Sequence, residues 1–216
     1  QDANKLIEEF MLLANRKVAE FIGSHKGRPS NKTFIYRVHD EPNDEKLASL
    51  QNIIGKFGYK INTDTKEATS DSLNQLLSDV HGKAESNMIE TLTIRTMSKA
   101  VYTTQNIGHY GLAFNYYSHF TSPIRRYPDI VVHRALSNIP DEDANKVASS
   151  STQSEITAMK AEREYNKIKQ LRYLQELPPR IYGGIVNGMT QRGLFIMLEN
   201  IFVDGFVRAE WMDDDY

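Results

Sequence analysis

Tyr116-Tyr117-Ser118-His119-Phe120-Thr121-Ser122-Pro123-Ile124-Arg125-Arg126-Tyr127-Pro128-Asp129-Ile130-Val131-Val132-His133-Arg134 is the stretch on which the reading of this chain turns. Ser122 is a good N-cap, and Pro123 suits a first helical position, where a missing N–H costs nothing. The spacing predicts a helix from there, with Ile124, Tyr127, Val131 and Ala135 on one face. Arg125, Asp129 and His133 follow at i, i+4, i+8 on another. Such a helix carries a guanidinium at its own N-terminus, where backbone N–H groups already favour anions, and this suits a phosphate. An Arg–Asp pair at this spacing serves equally well as a structural salt bridge. Pro128 is expected to delete a backbone hydrogen bond inside the helix and kink it.

The chain around this stretch has 216 residues, 40% of them hydrophobic and 25% charged, which is ordinary for a globular protein. The formal net charge of -2 gives no global basic field, so any nucleic acid must bind a local basic groove. With no cysteine, disulfides, thiolate catalysis and cysteine-ligated zinc are excluded, and a reducing, cytoplasmic setting is expected. No apolar run is long enough to span a membrane. The chain opens on Gln1 with no visible signal peptide, and we read it as an internal piece of a longer protein.

Helices are expected over 4–21, where Leu6, Phe10, Leu13, Val18 and Phe21 recur, and after Pro42-Asn43-Asp44, with Leu47, Leu50 and Ile54 on one face. Further helices are expected over 71–80 and 85–97, with Leu73, Leu76, Leu77, Met88, Leu92 and Met97 in the core, and over 150–177. A short strand is expected over 32–38, and residues 105–111 read as a loop. Gly23 to Ser30 lacks the Gly-Lys-Ser/Thr ending of a phosphate-binding P-loop. Pro178-Pro179 is the strongest boundary signal, and beyond it the period changes to that of strands: 181–186, 194–198 and 202–207, with turns at Gly188, Gly193 and Asn200.

The opening stretch resembles the signature of the ribonuclease II / ribonuclease R family, His-Phe-Thr-Ser-Pro-Ile-Arg-Arg-Tyr-x-Asp followed by His-Arg, without a departure. The Gly183 to Gly188, Arg192-Gly193-Leu194-Phe195-Ile196 and Gly205-Phe206-Val207 segments resemble the opening of the small OB-type RNA-binding barrel that follows the catalytic domain in that family. The resemblance implies an α+β chain: residues 1–177 as the later, mainly helical part of the catalytic domain, and 178–216 as an incomplete barrel. A five-stranded barrel needs all its strands to close its edges, so Asp213 to Tyr216 reads as a truncation point.

The resemblance implies a processive 3′-to-5′ exoribonuclease that acts as a monomer on the 3′ end of single-stranded RNA, with Mg²⁺, to release nucleoside 5′-monophosphates. It makes Arg125 the group that steadies charge on the scissile phosphate. Arg126 either contacts backbone phosphate or packs. Tyr117 and His119 lie where the family threads the 3′ end, with stacking, hydrogen bonding or a structural use open to each. Glu162 matches a position that helps hold the terminal nucleotides, and a carboxylate accepting from a 2′-OH is one way to tell RNA from DNA; the alternative is a solvated helix face. Glu9 is expected to face the site, with the register between Glu8 and Glu9 open.

Asp129 and His133 could be read as a metal pair, but one Asp and one His on one helix are more often an orienting network. His39-Asp40 suggests an HD-type metal pair whose further ligands are missing, and its segment fits a structural stretch of ribonuclease R relatives better. The resemblance places the aspartates that hold Mg²⁺ in a motif expected upstream of Gln1; nothing in this chain resembles it, and Asp213-Asp214-Asp215 has the wrong context. The expectation is therefore a chain inactive by itself. The alternative is a non-catalytic RNA-binding or scaffold member of the same family.

Overall fold

The computed structural model describes residues 2–25, 28–29, 33–83, 85–139, 143–199, 201 and 203–212. In chain order the elements are α1 (Asp2–Gly23), β1 (Ser24–His25), β2 (Arg28–Pro29), β3 (Tyr36–Val38), α2 (Asp44–Gly55), α3 (Lys66–Val80), α4 (Ser86–Thr96), β4 (Val101–Thr103), α5 (Tyr127–Leu136), α6 (Ala144–Glu176), β5 (Gly184–Thr190), β6 (Gly193–Leu198) and β7 (Asp204–Arg208). All strand pairings between these elements are antiparallel, and the class is the expected α+β. Two compact units form, Gln1–Ser154 and Glu155–Tyr216, so the division falls inside α6, upstream of the proline pair.

In the first unit, α2, α3 and α4 build one core. The Asn43 side chain caps α2 by accepting the Lys46 N–H, and Thr65 caps α3 by accepting that of Ala68. Leu47, Leu50 and Ile54 of α2 meet Leu73, Leu76 and Val80 of α3 and Ile89 of α4, all buried. Gly58, at φ 85°, turns the chain after α2 in a conformation glycine adopts without strain. Met88 corrects the expectation: it is exposed, and Ile89, Thr93 and Thr96 form the buried stripe of α4, one position along. Leu92 and Met97 pack at the edge of that core.

A second core surrounds the ribbon of β3 and β4, in which Arg37 pairs with Tyr102. Side chains alternate across a strand. Phe34, Tyr36 and Val38 therefore pack with Ala19 and Ile22 of α1 and Val132 of α5, while Ile35 packs with Tyr102, Val131 and Ala144 and Ala148 of α6. The ribbon thus locks α1, α5 and the start of α6 around the residues that lead into Ser122. Lys32, expected in this strand, lies outside the described residues.

The second unit holds the rest of α6 and an antiparallel meander in the order β5-β6-β7. Gly188 does not turn the chain as expected: it lies within β5, where the register shifts between Val186 and Gly188. Gln191-Arg192 make the turn instead, and Gly193 opens β6. Asn200, Phe202 and Asp213 to Tyr216 lie outside the described residues.

Candidate active site

The segment from Tyr117 to Ser122 runs extended without joining a sheet, and side chains from several elements hold it. The Tyr117 carbonyl accepts from Arg37 N (3.0 Å), and the Ser118 hydroxyl donates to the Ile35 carbonyl (2.6 Å). His119 Nδ1 shares a hydrogen bond with the Tyr102 hydroxyl (2.7 Å). Asn15 of α1, 4% exposed, accepts through Oδ1 from Phe120 N (2.9 Å) and Thr121 N (3.2 Å), and its amide donates to the Tyr117 hydroxyl (3.2 Å). His133 Nε2 donates to the Phe120 carbonyl (3.1 Å) while its ring stacks on Phe120 at 4.2 Å.

From Ser122 the chain makes a tight turn. Its carbonyl accepts from Arg125 N (3.3 Å) and Arg126 N (3.1 Å). Its own amide donates to Asp129 Oδ2 (2.7 Å), a carboxylate with no exposure at all. The same oxygen receives the Arg126 guanidinium at 2.9 Å. This differs from the expected helix. The residues 123–125 form a turn, α5 begins at Tyr127, and Pro128 rather than Pro123 takes the early helical position. Pro128 therefore removes no interior hydrogen bond and produces no kink. The reason is geometric: for Asp129 to reach back to the Ser122 amide, the chain between them must loop before it coils.

The two arginines separate as a result. Arg126, with a side chain only 17% exposed, is spent on Asp129, so packing is the use that the geometry gives it. Arg125 is exposed, and among the described residues its Nη2 meets only the hydroxyl of Ser122, at a long 3.4 Å. The structural Arg125–Asp129 pair does not form. Ile124, expected on the buried face, is fully exposed on the same turn.

Behind the turn lies an aromatic and histidine cluster. Tyr117 is 5% exposed, with its ring against His109 (5.2 Å), Phe114 (5.8 Å) and His119 (5.9 Å). A ring this enclosed has no face for a base, which corrects the stacking use considered for it. Burial pushes the His119 imidazole down to about 3, helped by the charges of Arg126 and Arg37, and pushes His109 down to about 4, helped by His39 and Arg37. Both rings are therefore neutral at neutral pH, in surroundings that already carry cations. His39 accepts from Gly111 N (2.8 Å) and donates to the Ser98 carbonyl (2.7 Å), so both its ring nitrogens are committed to holding loops. His133 Nε2 is likewise committed to the Phe120 carbonyl, whereas Asp129 commits only Oδ2 and its buried Oδ1 has no partner among the described residues. Among the described residues no group of three His, Asp or Glu side chains could hold a metal ion.

The family model described as the RNB domain matches residues 1–142. This chain belongs to the RNB domain family. Ribonuclease R of Aquifex aeolicus is 35% identical over 223 residues, across 99% of this chain and 31% of the relative. That of Escherichia coli is 30% identical, across the whole chain and 28% of the relative. The chain thus spans about a third of the length of these RNB relatives. The apo form of Mycoplasma genitalium RNase R superposes with a TM-score of 0.84 at 26% identity, over 99% of this chain and 35% of that one. The same enzyme in complex with ribose methylated single-stranded RNA gives 0.82. Yeast Ssd1, a pseudonuclease, shares the fold at 0.70 and 23% identity, over 94% of this chain and 26% of that one.

Two candidates remain. Glu9 is exposed on α1, six residues before Asn15. Glu162 is exposed on α6, beyond the RNB match and in the second unit. Asn15 was not among the sequence candidates. Its signal is a polar residue on the helix face that also buries Ala19 and Ile22.

Proposed function

We propose that this chain supplies the phosphate-stabilising side of a site that hydrolyses single-stranded RNA from its 3′ end, processively, releasing nucleoside 5′-monophosphates. The observation that carries the reading is the division of labour between neighbouring arginines. Arg126 neutralises a buried carboxylate and fixes the turn, which leaves the Arg125 fork exposed at its tip. As water attacks the terminal phosphodiester, negative charge grows on the non-bridging oxygens. A planar fork of fixed donors stabilises that charge better than a mobile ammonium would. The contribution is about 2.7–4 kcal/mol if it behaves like an oxyanion donor. The relationship to ribonuclease R, and the RNA complex of the Mycoplasma enzyme, support RNA as the substrate.

The Mg²⁺ that the family resemblance implies does not fit the described residues. They present no group of three ligands: the buried Asp129 Oδ1 is unpartnered, but it stands alone, and Oδ2 beside it is shared by Ser122 and Arg126. No step is therefore routed through a metal held by this chain. Glu9 and Glu162 are proposed to accept hydrogen bonds from the terminal nucleotides, the latter from ribose hydroxyls, and His119 to contact the RNA 3′ end. A second reading is a non-catalytic RNA-binding member of the family, since the fold is also that of yeast Ssd1, a pseudonuclease.

The test uses the complete gene product carrying this chain, with labelled single-stranded RNA. Arg125→Ala is expected to lower turnover by on the order of 100- to 1000-fold while RNA affinity changes little. Collapse of binding with normal single-turnover cleavage would contradict the role. Absence of any mononucleotide release by the unaltered protein, with RNA still bound, would favour the second reading.

A further inference from the structure

We propose that Asn15 is a positioning residue for the Arg125 turn, acting through the two amides that lead into it. This rests on the reading of Arg125 given above. Asn15 sits in the interior of a 22-residue helix, where asparagine is a poor helix former. A buried amide is costly unless bonded, and this one makes three hydrogen bonds: from Phe120 N, from Thr121 N and to the Tyr117 hydroxyl. The next amide, Ser122 N, goes to Asp129. Three consecutive amides thus end on side-chain oxygens from two helices, with no strand partner to set their path.

Ser122 follows Thr121 directly, and its carbonyl anchors the amides of Arg125 and Arg126. A drift of Thr121 therefore moves the turn that carries the guanidinium. Tyr117, the third partner of Asn15, packs against His119 and so ties the same side chain to the histidine cluster. Losing Asn15 orphans two part-buried N–H groups and frees the backbone just ahead of Arg125. A displacement of about 1 Å at a reacting geometry costs on the order of 100-fold in rate.

The test compares Asn15→Ala, Asn15→Asp, Arg125→Ala and the double variant Asn15→Ala/Arg125→Ala in the complete gene product. The readouts are kcat and KM on a labelled single-stranded oligoribonucleotide, with Tm alongside. Asn15→Ala is expected to lower kcat by roughly 10- to 100-fold with KM little changed. Asn15→Asp keeps an acceptor for both amides and is expected to recover most of the rate. The double variant is expected to be no slower than Arg125→Ala alone, because Asn15 reaches the chemistry only through Arg125. Fully additive losses, or a lower Tm with unchanged kcat, would overturn the inference while leaving Arg125 in place. Unchanged turnover in Arg125→Ala would overturn both. Should Asn15→Ala fail to fold, Asn15→Ser, polar but too short to reach both amides, carries the same comparison.

Discussion

Replacing Asp129 by alanine probes the turn where its energy is concentrated. The carboxylate has no exposure, and one of its oxygens serves both the Ser122 amide at 2.7 Å and the Arg126 guanidinium at 2.9 Å. Removing it leaves a guanidinium with a side chain only 17% exposed and unpaired, together with an orphaned amide. Breaking a buried pair by deleting one partner costs about 3–5 kcal/mol. The orphaned amide adds about 1–3 kcal/mol, and the partial exposure of Arg126 offsets some of this, so we expect about 3–5 kcal/mol in total. For a chain of this size that lowers Tm by roughly 6–20 °C. Far-UV circular dichroism during urea and thermal unfolding is the suitable assay, because the single tryptophan, Trp211, lies in the second unit and would report the wrong one. Asp129→Asn keeps an acceptor for Ser122 but not the charge, and should fall between wild type and alanine. A loss below about 1 kcal/mol for Asp129→Ala would refute the claim that this carboxylate holds the turn.

Three further outcomes follow from the same structure. His119 and His109 are held at about 3 and about 4 in the folded state, below the ordinary histidine value of 6.5, so the unfolded chain binds more protons. Stability is then fully present above about pH 6.5 and falls as pH drops toward 4 and 3, and Tm measured across that window should flatten in His119→Gln. Gly193 sits at φ 146°, and a Cβ there would run into the Val207 carbonyl; Gly193→Ala should unravel the β6–β7 pairing, seen as faster amide hydrogen exchange in β7 than in wild type. This chain incubated alone with Mg²⁺ and labelled single-stranded RNA should release no mononucleotides, and their appearance would show that its own residues complete the site.

Much of the helical frame is legible in the amino acids because each helix carries its own period. Leu47, Leu50 and Ile54 mark α2 unaided, and Asn43 marks its start. The start of α3 is hidden because Lys66 to Ser70 holds no large apolar residue to register a period. β4 is invisible for another reason: it is three residues long and its partner, β3, lies far away in sequence, so only tertiary pairing makes it a strand. The site shows both effects. Its residues stand out locally, but Pro123 and Pro128 both suit an early helical position, and the better cap, Ser122, stands before the one the helix does not use. What decides between the two prolines is the bond from Asp129 back to Ser122, which local propensity does not contain. Asn15 acts across more than 100 residues of chain and leaves only one local trace, a polar side chain among buried apolar ones.

The central claim, that Arg125 serves the substrate while Arg126 serves the fold, is tested most directly by a crossed pair of variants in the complete gene product, each read for both Tm and turnover. Arg125→Ala should leave Tm within a few degrees of wild type and lower turnover at least 100-fold. Arg126→Ala should lower Tm by at least about 6 °C, because it strands the buried Asp129 carboxylate. The reverse pattern, a stable Arg126→Ala protein and an Arg125→Ala protein that is unstable but turns over normally once folded, would contradict the account.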